Sequence, residues 1–234
     1  MPKAADIQKM FDSVVGRYDL LNRILSLGRD ASWRKALAGA LELDRSCCGL
    51  DLCCGTGDVA LRLLTDSRGV IELVAADFSP AMCRAANKKL ISRYQGGSHW
   101  WTACADGLRL PFGDAAFDFA TVAFGVRNFE DLEAGLAELA RVIRPGGRLG
   151  LLEFAPPRGL VLKSLYRPYM AIVPPILGRL LASSPEAYRY LFTSIDSFLE
   201  PGQVTAALND AGFHDLQAKK LTFGITYLYT ARRR

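Results

Sequence analysis

Short apolar runs alternate with helical patterns through the middle of the chain, and this alternation constrains the fold more than any other feature. The apolar runs lie at residues 49–53, 71–77, 100–105, 117–124 and 148–154. Apolar residues at helical spacing recur between them, at residues 59–64, 80–94 and 132–142. Strands that alternate with helices form a mostly parallel sheet with helices on both faces, so the sequence predicts a doubly wound α/β fold.

Helices and a hairpin are predicted outside this alternation. Residues 4–43 have apolar residues at helical spacing, with Ser32 as the candidate N-cap of the third predicted helix. Residues 160–181 are apolar and rich in proline and glycine, and they predict an inserted helical cap. Two strand patterns, at residues 215–221 and 225–231, are too close together to pair in parallel. The parallel sheet is therefore expected to end in an antiparallel C-terminal hairpin.

The length of 234 residues fits a single domain with a well-buried core. We divide it into a helical N-terminal extension, a core, a helical cap and a terminal helix with the hairpin, at residues 1–45, 46–154, 155–200 and 201–234. No segment is apolar enough to span a membrane and the N-terminus does not resemble a signal peptide, which favours a cytoplasmic protein that could still touch the inner face of a membrane. Six cysteines and two histidines lack the spacing of a zinc site, so no metal is predicted.

A glycine loop follows the first predicted strand and opens a helix. It reads DLCCGTGD at residues 51–58, where Gly55 and Gly57 let the backbone turn tightly and approach a ligand closely. Asp77 ends the second strand 20 residues after Gly57, the distance at which an acid accepts hydrogen bonds from ribose hydroxyls. The pattern predicts a site for an adenosine-containing ligand.

The same loop also fits the dinucleotide fingerprint of oxidoreductases, because Ala60 completes the spacing that Gly55 and Gly57 begin. Three features weigh against that alternative. Asp51 places a carboxylate just before the loop, where it would repel a pyrophosphate but could meet a cationic ligand. The helical stretch before the first strand is long for a dehydrogenase, and the terminal hairpin is not expected in the usual dinucleotide arrangement.

Several runs resemble those of class I methyltransferases that use S-adenosylmethionine (SAM). Residues 51–58 are similar to the first SAM motif, with Cys53 where glycine is usual. Residues 105–112 resemble the acidic loop that precedes the fourth strand, and residues 144–149 resemble the turn into the fifth. Narrower runs resemble the ubiquinone/menaquinone C-methyltransferase family, at residues 11–14, 18–19, 26–28, 33–34, 124–128, 152–154, 188–191, 194–195 and 221–225. The resemblance extends nearly from end to end in consistent order.

This resemblance implies a Rossmann-like, seven-stranded sheet with SAM bound across the carboxyl ends of the strands. The cofactor-binding residues that it implies by motif position are Gly55, Thr56, Gly57, Asp77, Asp106 and Gly107. Asp77 would hold the ribose, and Asp106 with Gly107 would flank the adenine.

The substrate implied by the resemblance is a prenylated quinol, demethylmenaquinol in particular, methylated on its ring. Such a reaction needs a group that stabilises the quinolate, and Arg127 and Asn128, just past the fourth strand, are the candidate catalytic residues. Tyr18 and Glu153 are further candidates. The alternative for the loop around Arg127 is a purely structural role in capping strand carbonyls.

Other functions stay open at this point. A SAM-dependent methyltransferase could act on another small molecule or on RNA, although the chain has no added RNA-binding module and no interleaved basic and aromatic residues, so nucleic acid is not expected. A noncatalytic SAM-binding protein is the alternative of another class. The sequence leaves open the choice between a naphthoquinol and a benzoquinol, contact of the cap with a membrane, and homo-oligomerisation.

Overall fold

A computed structural model of the chain describes residues 4–43, 46–156 and 185–234. Its strands are β1 (Cys47–Leu52), β2 (Ile71–Asp77), β3 (His99–Cys104), β4 (Phe117–Ala123), β5 (Ile143–Phe154), β6 (Phe213–Leu221) and β7 (Thr226–Arg233). They form one seven-stranded sheet in the order β3-β2-β1-β4-β5-β7-β6. Strands β1 to β5 pair in parallel, and β7 lies antiparallel between β5 and β6. The predicted doubly wound sheet with an antiparallel C-terminal hairpin is confirmed.

Helices lie at both ends of the chain and between the parallel strands. They are α1 (Ala4–Val14), α2 (Tyr18–Leu25), α3 (Asp30–Ala40), α4 (Asp58–Asp66), α5 (Pro80–Arg93), α6 (Leu132–Val142), α7 (Pro185–Asp196) and α8 (Pro201–Asp210). Several begin at residues that satisfy free backbone N–H groups. The Ser79 hydroxyl accepts from the N–H of Met82 at the start of α5, and the Asp131 carboxylate accepts from Ala134 at the start of α6.

Two buried clusters lie on the opposite faces of the sheet. Side chains of α3, α4 and α5 pack on one face, where Phe119 of β4 fills the space that a side chain at Gly49 would take. Side chains of α6 and α8 pack on the other, against alternate residues of the same strands. Successive strand residues point to opposite faces, so these central strands are mostly apolar and contribute to the core on both sides.

Some local expectations were wrong. Ser32 does not cap α3, because the helix already begins at Asp30 and the Ser32 hydroxyl donates to the Arg29 carbonyl within its first turn. Instead the Asp30 N–H donates to the Ser26 hydroxyl at 3.2 Å. Residues 144–147 are not a turn before β5 but an irregularity inside it, since Ile143 already pairs with Phe117.

The predicted cap at residues 160–181 lies outside the described residues. The division into four segments and the single domain stay predictions. Within the described part of the chain, no helix has both the length and the apolar character needed to cross a membrane.

Candidate active site

The carboxyl ends of β1, β2 and β4 meet at one edge of the sheet. The strand order reverses there, because β1 is followed by β2 on one side and by β4 on the other. Open α/β sheets bind their ligands in the crevice at such a switch point. The glycine loop after β1 therefore lies where a ligand is expected.

Asp77, the last residue of β2, holds the glycine loop in place. Its Oδ2 accepts from the Gly55 N–H and its Oδ1 from the Ser79 N–H, both at 2.9 Å. Burial raises the pKa of Asp77, and these two hydrogen bonds act in the opposite direction. Gly55 and Gly57 both have positive φ, of 54° and 86°, and Gly57 is the N-cap of α4. The loop thus adopts a backbone that favours glycine at these two positions.

A small cavity of about 140 Å³, the glycine-loop cavity, opens beside this loop. Four of the six predicted cofactor-binding residues line it: Gly55, Asp77, Asp106 and Gly107. Thr56 and Gly57 do not, since Gly57 begins α4 and the Thr56 hydroxyl donates to Asp19 of α2 and accepts from Lys89 of α5. The Thr56 side chain therefore fastens α2 to the loop in this structure.

Asp51 lies just before the glycine loop and is almost fully buried. Its Oδ1 accepts from the Thr121 hydroxyl at 2.7 Å, whereas its Oδ2 has no hydrogen-bond partner among the described residues. Burial raises the pKa of Asp51 to about 7. A buried carboxylate with one free oxygen is suited to a cationic partner.

A larger cavity of about 470 Å³, the apolar cavity, adjoins the first. Helices α1, α2 and α3 form one side of it, and α7 with the β6–β7 turn forms the other; its lining includes Met10, Val14, Leu21, Leu25, Trp33, Phe154, Leu191, Ile195 and Ile225. Phe11, Tyr18 and Phe124 line both cavities. These three aromatic residues form the shared wall between the two cavities.

Arg127 is buried and lines the apolar cavity. Its Nη1 lies 2.9 Å from Oε1 of the fully buried Glu153 and also donates to the Phe124 carbonyl. Its Nε has no hydrogen-bond partner in the described part of the protein. Burial raises the pKa of Glu153, and the Arg127 charge opposes that shift. The guanidinium therefore caps the Phe124 carbonyl, which is the structural role that the sequence left open for this loop. It also places a positive charge at the cavity wall.

Asn128 lines the glycine-loop cavity, on the other side of the shared wall. Its Oδ1 accepts from the hydroxyl of Tyr190, which lines the apolar cavity, at 2.9 Å. Burial raises the pKa of the Tyr190 hydroxyl above its ordinary value. This hydrogen bond fixes the Asn128 amide from across the boundary between the two cavities.

The structure places four of the six predicted cofactor-binding residues at the cavity, whereas the shared wall was not predicted. Phe11 and Tyr18 were recognised only through the resemblance of their segment, and no pattern linked them to Phe124. Tyr190, which belongs to the run at residues 188–191 that carries the resemblance, lines the apolar cavity. The ionic contact of Lys89 with Asp19 has no signal in a single sequence, because 70 residues separate them.

The chain was compared with known proteins. It matches the profile of the ubiE/COQ5 methyltransferase family over residues 2–233. A demethylmenaquinone methyltransferase of Thermus thermophilus is 44% identical over 225 residues, which cover 96% of this chain and 100% of the relative. One of Deinococcus radiodurans is 40% identical over 99% of this chain and 94% of the relative. A ubiquinone/menaquinone biosynthesis C-methyltransferase UbiE of Geotalea daltonii is 39% identical over 99% and 97%.

Solved structures are similar in fold at much lower identity. The [4+2]-cyclase SpnF superposes with a TM-score of 0.73 at 18% identity, over 99% of this chain and 96% of SpnF. A SAM-dependent methyltransferase of Thermotoga maritima superposes with a TM-score of 0.65 at 17% identity, over 97% and 99%. These likenesses show the fold, whereas the full-length sequence matches show the family. This chain belongs to the ubiE/COQ5 methyltransferase family.

Proposed function

We propose that this protein transfers the methyl group of SAM to a ring carbon of a prenylated quinol, with demethylmenaquinol as the substrate, in menaquinone or ubiquinone biosynthesis. The relatives called demethylmenaquinone methyltransferases support the substrate, because they match almost the whole chain. One structural observation carries the proposal. A cavity at the glycine loop, which holds the carboxylates of Asp77 and Asp106, and a larger apolar cavity share a wall formed by Phe11, Tyr18 and Phe124.

The residues at the glycine loop fit SAM. Each oxygen of Asp77 accepts one backbone N–H and keeps a lone pair for a ribose hydroxyl. Asp51, just before the loop, is buried and does not itself line the cavity. Gly107 packs against Phe129, and an added Cβ would come to 3.0 Å from the ring, so a side chain here would displace a wall of the cavity. When bound, SAM supplies an electrophilic methyl group on a cationic sulfonium.

The apolar cavity fits the quinol. Its volume of about 470 Å³ is within the range of roughly 300–1,000 Å³ for small-molecule sites. The quinol hydroxyl must lose its proton so that the adjacent ring carbon becomes nucleophilic, and Arg127 stabilises the negative oxygen that results. Glu153 holds Arg127 in that orientation, and Tyr190 with Asn128 orients the ring or a water molecule. After methylation, the ring carbon loses its hydrogen as a proton.

The test is transfer of labelled methyl from SAM to demethylmenaquinol and to the matching benzoquinol, offered side by side under reducing conditions. We expect label in demethylmenaquinol, and a fall of about 10²–10³-fold in kcat for Arg127→Ala, as for removal of an oxyanion-stabilising donor. Arg62→Ala, which removes a partly exposed arginine on α4, is the matched control and should transfer at the wild-type rate. SAM binding without label in either quinol would overturn the proposal and favour a noncatalytic SAM-binding protein.

A further inference from the structure

Two large apolar side chains project into solvent at the mouth of the apolar cavity. Leu27 is 77% exposed and Phe223 is 82% exposed, and both line that cavity. Both also have positive φ, of 51° and 57°. Turns with such a backbone favour glycine, asparagine or aspartate, so a connecting role alone does not account for leucine and phenylalanine here.

The two turns that carry these side chains border the same opening. The Trp33 indole N–H of α3 donates to the Thr222 hydroxyl of the β6–β7 turn at 2.8 Å. The Leu27 N–H donates to the Ile24 carbonyl at 3.0 Å, which continues α2 into its turn. These bonds fix both turns to the N-terminal helices, so Leu27 and Phe223 are held as a pair at one rim.

Basic residues accompany this pair. Arg29 is exposed and lines the cavity. Lys220 is exposed and lies against the β6–β7 turn, where an added Cβ at Gly224 would come 2.7 Å from its Cε. The acid that lines the cavity, Asp30, is buried and paired with Arg34. Exposed apolar side chains flanked by cations are the composition of a surface that inserts shallowly into an anionic bilayer.

We propose that the cavity rim, defined as Leu27, Arg29, Lys220 and Phe223, docks on the surface of an anionic lipid bilayer. The apolar pair enters the acyl boundary, and the two cations lie among the headgroups. The reason for docking rests on the proposed function. A prenylated quinol dissolves in the bilayer and would reach the apolar cavity through this opening. The docking itself requires neither SAM nor a quinol.

Binding of the full-length protein to vesicles tests the proposal, with no SAM or quinol present. Vesicles of phosphatidylglycerol with phosphatidylcholine are compared with phosphatidylcholine alone, at low and high salt, by co-sedimentation. The test variant is L27N/F223N, because asparagine removes the apolar surface and tolerates positive φ. Ile91→Asn is the matched control, since Ile91 is 67% exposed on α5 and does not line either cavity.

We expect the wild-type protein to bind the anionic vesicles, and to bind them less at high salt. L27N/F223N should lower the partition coefficient at least about tenfold, whereas Ile91→Asn should leave it unchanged. Lys220→Gln should lower it about fivefold on the anionic vesicles only.

Three results would overturn the proposal. The first is that L27N/F223N binds as tightly as wild type, and the second is that Ile91→Asn weakens binding equally. The third is that the wild-type protein self-associates without vesicles and L27N/F223N does not, which would make the rim a contact between copies. Because methyl transfer is not measured, failure of the proposed function leaves this test unaffected.

Discussion

At the scale of single residues, Cys53 and Gly125 compete for one space where β1 and β4 end. Cys53 has a φ of +57° at a position where class I methyltransferases usually have glycine. A Cβ added at Gly125 would lie 2.5 Å from the Cys53 Cβ and 2.6 Å from its sulfur. Any side chain at position 125 would therefore overlap the Cys53 side chain.

This overlap predicts that a second substitution restores the stability that a first one removes. Gly125→Ala should lower the free energy of unfolding by about 1–3 kcal/mol through overpacking. Cys53→Gly removes the obstructing atoms, so the double variant Cys53→Gly/Gly125→Ala should recover most of that loss. Urea unfolding of the four proteins measures the coupling. Strictly additive effects would show that the two positions do not share the space.

Arg127 and Glu153 form a buried ion pair, with 5% and 0% of their side chains exposed. Arg127→Met alone leaves a buried carboxylate without its partner and should cost about 3–5 kcal/mol of stability. Arg127→Met/Glu153→Gln removes both charges and should restore most of the stability but none of the methyl transfer. Unfolding and activity are measured on the same preparations. Recovery of activity in the double variant would exclude Arg127 from catalysis.

Asp51 makes stability depend on pH. Its pKa of about 7 in the folded protein lies above the ordinary value of 3.8, so the folded state binds the proton more tightly than the unfolded state. The contribution of Asp51 to the free energy of unfolding is complete below about pH 4. It falls by up to about 4 kcal/mol as the pH rises to about 7.

Asp51→Asn should therefore become more stable relative to wild type as the pH rises from 4 to 7, while its SAM affinity falls at pH 7. Denaturant unfolding at several pH values, each paired with wild type, isolates this effect from that of Asp77 and Glu153, whose pKa values are also raised. A stability difference that does not vary with pH would contradict the assignment.

At the scale of elements, α1 and α2 cover the glycine-loop cavity, and Lys89 of α5 holds α2 against the loop. The Lys89 Nζ lies 2.7 Å from Asp19 Oδ2 and 3.0 Å from the Thr56 hydroxyl, and it also pairs with Asp58. The cavity volume of about 140 Å³ is below the roughly 300 Å³ of a typical ligand site, and Ile7 of α1 is part of its wall. We therefore expect α1 to move when a cofactor enters.

Lys89→Ala should loosen α1 and α2 without unfolding the sheet. The partners of Lys89 are partly exposed, so we expect a change of only about 1–2 kcal/mol in the opening of residues 4–25. Hydrogen exchange should speed up in that stretch and stay unchanged in β1 and β4. Lys88→Ala, at the exposed neighbouring position, is the control. Equal exchange in the two variants would mean that Lys89 does not fasten these helices.

The elements differ in how far the sequence predicts them. Helix α6 was predicted at its observed bounds, because its apolar spacing is regular and Asp131 marks its start. Strand β5 is longer than predicted, since residues 143–147 contain Arg, Pro and two glycines and read as a turn. The pairing of Ile143 with Phe117 depends on the neighbouring strand, which local sequence cannot indicate.

The residues of the site also differ in how far the sequence predicts their contacts. Gly55, Asp77, Asp106 and Gly107 could be predicted because each is fixed by a local turn after a strand. Thr56 was predicted to contact the cofactor, which stays a prediction, but its contact with Asp19 depends on how α2 packs on the loop. The shared wall could not be derived from periodicity, since Phe124 lies far along the chain from Phe11 and Tyr18.

At the scale of the whole molecule, the fold alone does not decide the chemistry. The [4+2]-cyclase SpnF has a similar fold, with a TM-score of 0.73. The chemistry depends on the site that is built around the sheet. The N-terminal helices, α7 and the terminal hairpin enclose an apolar cavity next to the glycine loop, with Arg127 in its wall. That arrangement places an apolar substrate beside a cofactor site, which is what ring methylation of a prenylated quinol requires.

The most direct measurement follows the methyl group itself. The protein is incubated with SAM labelled by deuterium on its methyl group and with demethylmenaquinol, and the product is fragmented in a mass spectrometer. The account predicts that the intact labelled methyl group is recovered on the quinol ring carbon. Label on a quinol oxygen, or bound SAM with no labelled quinol, would contradict it.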